Sequence, residues 1–159
     1  MNHALQTGAA AHAPQDADDT RGTPEHPLLR EWKQLTRQGL AASRAHCVAH
    51  ALTWHTRALG VARQLLAHAE DGIAADDRLA AYVVAHLNLA DCYAGMDQPA
   101  SAAECLCRAH LKLMALLHSD TAPPSLRMAA ARQLHHTHAA LHLHHGPQGG
   151  PAPGSPLLH

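Results

Sequence analysis

An internal repeat constrains the fold of this 159-residue chain more than any other feature of its sequence. Two segments that each predict a long helix match at an offset of 51 residues, and the matched pairs are Ala51 with Ala102, His55 with Leu106, Ala58 with Ala109, Ala62 with Leu113, Leu65 with Leu116 and Leu66 with Leu117. Their helical spacing places them on one face, as expected of helices that bury an apolar stripe. The repeat therefore predicts an array of similar helix pairs.

The composition predicts that every element of this array is helical. Apolar residues make up 47% of the chain, but aromatic residues make up only 3% and Phe is absent, so a core must consist of Ala, Leu and Val. Ala and Leu are strong helix formers, whereas the β-branched and aromatic residues that favour strands are scarce. The expected fold class is all-α.

Pro, Gly and Asp divide the chain into about five helices between two tails. The Pro- and Gly-containing ends, residues 1–25 and 146–159, are predicted to be disordered, and residues 26–145 to form one helical domain. The expected helices run from about Pro27 to Ser43, from about Ala45 to Glu70, from a cap at Asp76 or Asp77 to Gly95, from Pro99 to His118, and from the 120–125 loop to His145.

The helix pairs carry the pattern of a known repeat. Consecutive signature positions are occupied in the second pair by Leu89, Ala90, Tyr93, Ala102, Leu106 and Ala109. The first pair supplies Trp32, Leu35, Ala51, His55 and Ala58, with Gly39 where Tyr is usual and with about three extra residues in its turn. In these residues the chain resembles the tetratricopeptide repeat (TPR).

This resemblance covers residues 27–118 and implies antiparallel helix pairs wound into a right-handed superhelix. The offset of 51 exceeds the usual 34 residues, so an elongated second helix and a long connection through residues 71–77 are expected. The last helix is then a terminal helix that covers the second pair through the stripe Leu126, Ala130, Leu134, Thr137 and Leu141.

In this resemblance the first helix of each pair lines a concave groove that binds a peptide or protein segment. The positions expected to point into it are Arg30, Lys33 and Arg37 of the first pair, with Asn88 and Asp91 of the second. Three cations on one face suit an acidic or C-terminal segment, and Asn88 stands where these repeats often bond a peptide backbone. The alternative for these positions is a solvated helix face.

The 17 histidines suggest a second kind of function. His135, His138 and His142 are spaced by three and four residues, which predicts three imidazoles on one helical edge within reach of Zn, Ni or Cu, and His46 and His50 form a similar pair. No recognised zinc-binding spacing accompanies them, which favours the alternative interpretation that His has replaced solvated Arg with little structural consequence. His55 is expected to face the core, Trp54 to flank it, and Cys47 and Cys92 to be buried thiols.

The charge of the chain and its lack of catalytic motifs limit the classes of function that can be expected. A net charge of -1 favours neither nucleic acid nor an anionic membrane as partner, and no apolar run of membrane-spanning length is present. No phosphate-binding Gly loop, nucleophile elbow or carboxylate pair indicates an enzyme. The sequence thus predicts a non-enzymatic, cytoplasmic adaptor without a cofactor, able to form homo-oligomers, with a His-rich metal-binding protein as the alternative.

Overall fold

Five α-helices make up the fold in the computed structural model, which describes residues 22, 24–68 and 72–146. They are α1 (Pro27–Arg44), α2 (Val48–Ala67), α3 (Ala75–Gly95), α4 (Pro99–Leu117) and α5 (Pro124–His145). The predicted all-α class is confirmed. The two predicted disordered tails lie almost entirely outside the described residues.

The helix starts follow local chemistry, with two corrections to the predicted bounds. Proline occupies the first turn of α1, α4 and α5, where its missing N–H costs no hydrogen bond. Helix α3 begins earlier than predicted, at Ala75, so Asp76 and Asp77 lie within its first turn and do not cap it. In the first turn their negative charges stabilise the helix by interacting with the positive end of its dipole. Helix α2 ends at Ala67 and not at Glu70.

The turns inside the two helix pairs have the same geometry. His46 and Asp97 both take left-handed φ angles, 58° and 57°. In each turn the next residue donates its N–H five residues back, from Cys47 to Ala42 and from Gln98 to Tyr93. This is a Schellman motif, which satisfies carbonyls at the end of the first helix and delays the start of the second. The prediction that α2 begins at Ala45 is therefore wrong.

Equal turns also change the register predicted for α1. Residues 45–47 and 96–98 connect the helices of the two pairs, so the three extra residues expected in the first turn do not exist. The offset of 51 then extends back through the first helices: Gly39 corresponds to Ala90, Arg37 to Asn88, and Leu40 to Asp91. Gly39 is thus the small residue of its pair and not the substitute for Tyr.

Close helix contact explains why a glycine is needed at that position. A Cβ added to Gly39 would lie 2.6 Å from both ring nitrogens of His55. His55 is only 1% exposed, which confirms the prediction that it faces the core. The second pair has Ala90 and Leu106 at the corresponding positions. The first pair therefore packs Gly against His where the second packs Ala against Leu.

Successive helices pack against one another, and α3 also packs against α5. Helices α1 and α3 meet over only a few residues. One apolar cluster joins α1, α2 and α3 around Leu35, Leu65 and Leu89, with Trp32 and Trp54 against it. Two further clusters join α3, α4 and α5. The right-handed superhelix implied by the resemblance stays a prediction.

Helix α5 covers the second pair through the predicted stripe. Ala130 and Thr137 are fully buried, while Leu126, Leu134 and Leu141 pack against the clusters formed with α3 and α4. Thr137 Oγ1 donates to the Leu134 carbonyl oxygen at 3.1 Å, and it lies 2.8 Å from Nδ1 of His110 on α4. The terminal-helix prediction is confirmed, with this polar contact added to the apolar stripe.

Candidate functional site

The three cations of α1 lie on the exposed face, opposite Leu35 and Gly39. Two of them are engaged at the start of the helix, because Arg30 donates to the Glu25 carbonyl oxygen at 3.1 Å and Lys33 forms an ion pair with the Glu25 carboxylate. Arg37 makes no ion pair within the described part of the chain. It is therefore the cation of this stripe that is available to a ligand.

One of the two predicted residues of α3, Asp91, lines a cleft between three helices, and Asn88 is not part of its lining. Asn88 is half-buried one turn before Asp91, and the volume of the cleft is about 270 Å³. We call this the Asp91 cleft, and its lining is Leu87, Ala90, Asp91, Ala94, Ala102, Leu106, Ala140, Leu143 and His144. Asp91 is exposed as a residue, yet partial burial beside the cleft raises the pKa of its carboxyl group.

The two predicted groups of groove residues stay on separate helices. No hydrogen bond or ion pair within the described residues joins the α1 cations to Asn88 or Asp91. The C-terminal ends of α1 and α3 do meet, since the Ser43 hydroxyl lies beside the Cys92 thiol and partly offsets the increase in its pKa caused by burial. With the corrected register, Arg37 and Asn88 occupy equivalent positions on these neighbouring helices.

Helix α5 contributes residues to the Asp91 cleft that the sequence did not predict. Ala140, Leu143 and His144 form one wall, and Leu143 is 84% exposed despite its apolar side chain. The stripe that docks α5 was visible in the sequence. The placement of its last turn opposite the start of α4 was not, because it depends on the packing of α5 against both other helices.

The predicted metal ligands are not assembled as expected. The His135 ring packs on His136, with centroids 3.8 Å apart, while His138 and His142 form a T-shaped pair at 5.0 Å. Over residues 24–68 and 72–146, no group of three or more His, Cys, Asp or Glu side chains is arranged to hold a metal ion. His46 lies in the turn before α2, so its predicted helical pairing with His50 is wrong.

A second cleft lies between α2, α3 and α4. Its volume is about 370 Å³ and its lining residues are Arg63, Leu66, Ala67, Tyr82 and Lys112. We call this the Tyr82 cleft. The Tyr82 ring packs against the ring of His86, with centroids 4.4 Å apart, and burial raises the pKa of the phenol.

Several polar atoms are buried without a hydrogen-bond partner among the described residues. Arg78 is 6% exposed, and its Nε and Nη1 atoms have no partner in this part of the chain. The same holds for Trp32 Nε1, Thr36 Oγ1 and His55 Nδ1. Such groups destabilise a fold unless something pairs with them, and a buried guanidinium is the most costly because it keeps its charge.

The four cysteines are free thiols. Cys92 is buried, as predicted, and Cys105 is partly buried. Cys47 is exposed in the turn before α2, so its predicted burial is wrong. Its Sγ lies 3.6 Å from the Ala45 carbonyl oxygen.

Comparison with known proteins identifies a family for this helical chain. A family described as a protein of unknown function, DUF2753, matches residues 30–152, which is more than half of the chain. The chain belongs to the DUF2753 family. The matched region includes α2 to α5 and most of α1, so both clefts lie within the part that defines the family. No curated protein and no solved structure shows significant similarity to the chain.

None of the described helices is both long and apolar enough to cross a membrane.

Proposed function

We propose that this DUF2753 protein is a non-enzymatic, TPR-like interaction module that binds a peptide or protein segment at the face of α3. The observation that carries the proposal is the Asp91 cleft, an apolar depression with polar groups at one edge. Binding sites for extended segments combine a pocket for an apolar side chain with polar groups that bond the backbone. The setting we propose is the cytoplasm.

The residues around this cleft suggest how a segment would be held. An apolar side chain of the partner would enter between Leu106 and Leu143, which would remove the exposed surface of Leu143 from water. The Asn88 amide would bond the partner's backbone, and Asp91 would accept a hydrogen bond from it. Arg37, at the equivalent position on α1, would favour an acidic or C-terminal end of the segment.

Peptide selection followed by a matched set of variants tests this proposal. The peptide that binds best would be selected from a random library, and its Kd would be measured with Asn88→Ala, Leu143→Ser and the wild type. Loss of one backbone hydrogen bond or one apolar contact is worth about 1.4 kcal/mol, so each variant is expected to bind about tenfold more weakly. Asp77→Asn is the control, because Asp77 lies on the same helix at its exposed first turn.

Two results would reject the cleft as the binding site. One is an unchanged Kd in both cleft variants. The other is an equal loss in the Asp77 control, which would indicate a general effect on the helix. A selected peptide that causes the protein to dimerise would point to homo-oligomerisation through the same surface.

A metal-binding function is the second candidate, and the His138–His142 pair favours it. These rings lie one helical turn apart and line a shallow, exposed depression together with Leu141 and His145. Two imidazoles one helical turn apart can bind Zn, Ni or Cu as a two-ligand site. Titration of the tag-free protein with each metal tests it: submicromolar binding that disappears when His135, His138 and His142 are replaced by Ala would favour the metal function over the adaptor.

A further inference from the structure

The Tyr82 cleft is separate from the Asp91 cleft and shares no lining residue with it. Helices α2 and α4 both pack against α3 but not against each other, so the surface of α3 between them is the floor of this cleft. Tyr82 occupies that floor. Arg63 stands on the α2 side and Lys112 on the α4 side.

The two charged residues that line this cleft in the described part of the chain are both cations, although the whole chain has a net charge of -1. Neither Arg63 nor Lys112 forms an ion pair within the described residues. Arg108 also lies near the phenol, but it is already engaged with Glu104 one helical turn away. Among the described residues, Arg63 and Lys112 face the cleft from its two walls without ion-pair partners and no carboxylate lines it, an arrangement that attracts an anion.

A buried residue, His86, fixes the position of the Tyr82 ring on the floor of the cleft. His86, 1% exposed, packs its ring against Tyr82 and donates from Nδ1 to the Tyr82 carbonyl oxygen at 3.0 Å. Burial raises the pKa of Tyr82, and the charges of Arg63 and Arg108 oppose that increase. The Tyr82 hydroxyl makes no hydrogen bond to any described residue, so it is available as a donor.

We propose that the Tyr82 cleft binds the oxyanion, a phosphate or carboxylate, of a small molecule with a short apolar body. Arg63 and Lys112 neutralise the anion from the two walls, and the Tyr82 hydroxyl donates a hydrogen bond to it. Leu66 and Ala67 provide the apolar surface beside the charged end. A volume of about 370 Å³ is within the usual range for sites of small molecules.

Titration with defined anions tests the site. Inorganic phosphate, acetate and butyl phosphate would be added to the whole protein in low-chloride buffer, and binding would be followed by backbone amide chemical shifts of α2, α3 and α4. Butyl phosphate is expected to bind about threefold to tenfold more tightly than inorganic phosphate, because part of its chain is removed from water. The comparison of phosphate with acetate distinguishes the two oxyanions.

Charge-matched variants separate a site from general attraction. Arg63→Gln with Lys112→Gln is expected to weaken butyl phosphate binding at least about tenfold, and Tyr82→Phe about threefold. Arg44→Gln with Arg57→Gln removes the same net charge from exposed positions outside both clefts and is expected to leave the Kd unchanged. Helical circular dichroism of each variant verifies that it is folded.

The proposal is overturned if none of the three anions binds the wild type with a Kd below about 10 mM. It is also overturned if the control variant Arg44→Gln with Arg57→Gln weakens binding as much as the cleft variant does, since that result means attraction to net charge alone. Neither outcome affects the peptide proposal, which depends on different residues.

Discussion

At the scale of single residues, the contact between Gly39 and His55 sets how closely α1 approaches α2. The ring of His55 occupies the space where a side chain at residue 39 would begin. Gly60 on α2 provides a contrast, because a Cβ there would meet nothing within 4 Å. The two glycines therefore differ in function although both lie inside helices.

Replacement of each glycine by Ala is expected to have opposite effects on the free energy of unfolding. Gly39→Ala should lower it by about 1–3 kcal/mol through overpacking against His55. Gly60→Ala should raise it by about 0.5–1 kcal/mol, because Ala loses less backbone entropy in a helix. Urea denaturation measures both. If Gly39→Ala remains equally destabilising when His55 is also replaced by Ala, contact with the ring is not the cause.

Arg78 allows a test of whether its guanidinium, whose buried Nε and Nη1 have no partner among the described residues, is unpaired in solution. An unpaired buried charge is destabilising, so Arg78→Met should raise the free energy of unfolding by about 1–4 kcal/mol. The exposed Arg44→Met should change it by less than about 0.5 kcal/mol. A loss of about 3–5 kcal/mol in Arg78→Met would show instead that an anionic partner pairs with Arg78 in solution.

At the scale of elements, each of the two Schellman turns contains one residue with a strained backbone angle, and the cost of this strain can be measured. His46 and Asp97 hold left-handed backbone angles that glycine adopts without steric cost. His46→Gly and Asp97→Gly are each expected to raise the free energy of unfolding by about 0.5–1 kcal/mol. Ala45→Gly, one residue earlier at a φ of -81°, should lower it or leave it unchanged. Equal effects at residues 45 and 46 would contradict this account.

These turns also show what the sequence could and could not predict. Pro27, Pro99 and the prolines at 123 and 124 mark helix starts by their chemistry, and the 51-residue repeat specifies which faces of α2 and α4 are buried. Left-handed residues that are not glycine carry a weak sequence signal, so the sequence predicts helix at His46 and burial at Cys47. The register predicted for α1 has a different source, because the resemblance assigns Trp32 and Leu35 to signature positions.

At the scale of the whole molecule, the two clefts arise from helices that are distant in sequence. The Asp91 cleft needs the last turn of α5 beside α3 and α4, and the Tyr82 cleft needs α2 and α4 on either side of α3. Asp91 could be predicted from its position on α3, whereas the groove role of Asn88, which does not line the cleft, stays a prediction. Arg63, Lys112 and Leu143 could not be predicted, because no local pattern specifies which helices they face.

Two buried histidines make the stability of the whole fold depend on pH. Burial lowers the pKa of His55, and it lowers the pKa of His86, where Arg63 and Arg108 add to the effect and the bond to the Tyr82 carbonyl opposes it. In the unfolded chain each imidazole binds a proton near pH 6.5. The unfolded state therefore takes up more protons than the folded state as pH falls below that value.

Stability is consequently expected to be complete above about pH 6.5 and to decrease as the pH falls towards the folded pKa values. The slope reaches about 1.4 kcal/mol per pH unit for each histidine. Urea denaturation at about pH 7.5 and 5.5 measures the decrease. Replacing both His55 and His86 by Leu should reduce the decrease, because Leu already fills the position equivalent to His55 in the second pair.

Replacing the exposed His135 and His136 by Gln should leave the decrease unchanged. An equal decrease in wild type and core variant would mean that the exposed histidines or other groups govern the acid response.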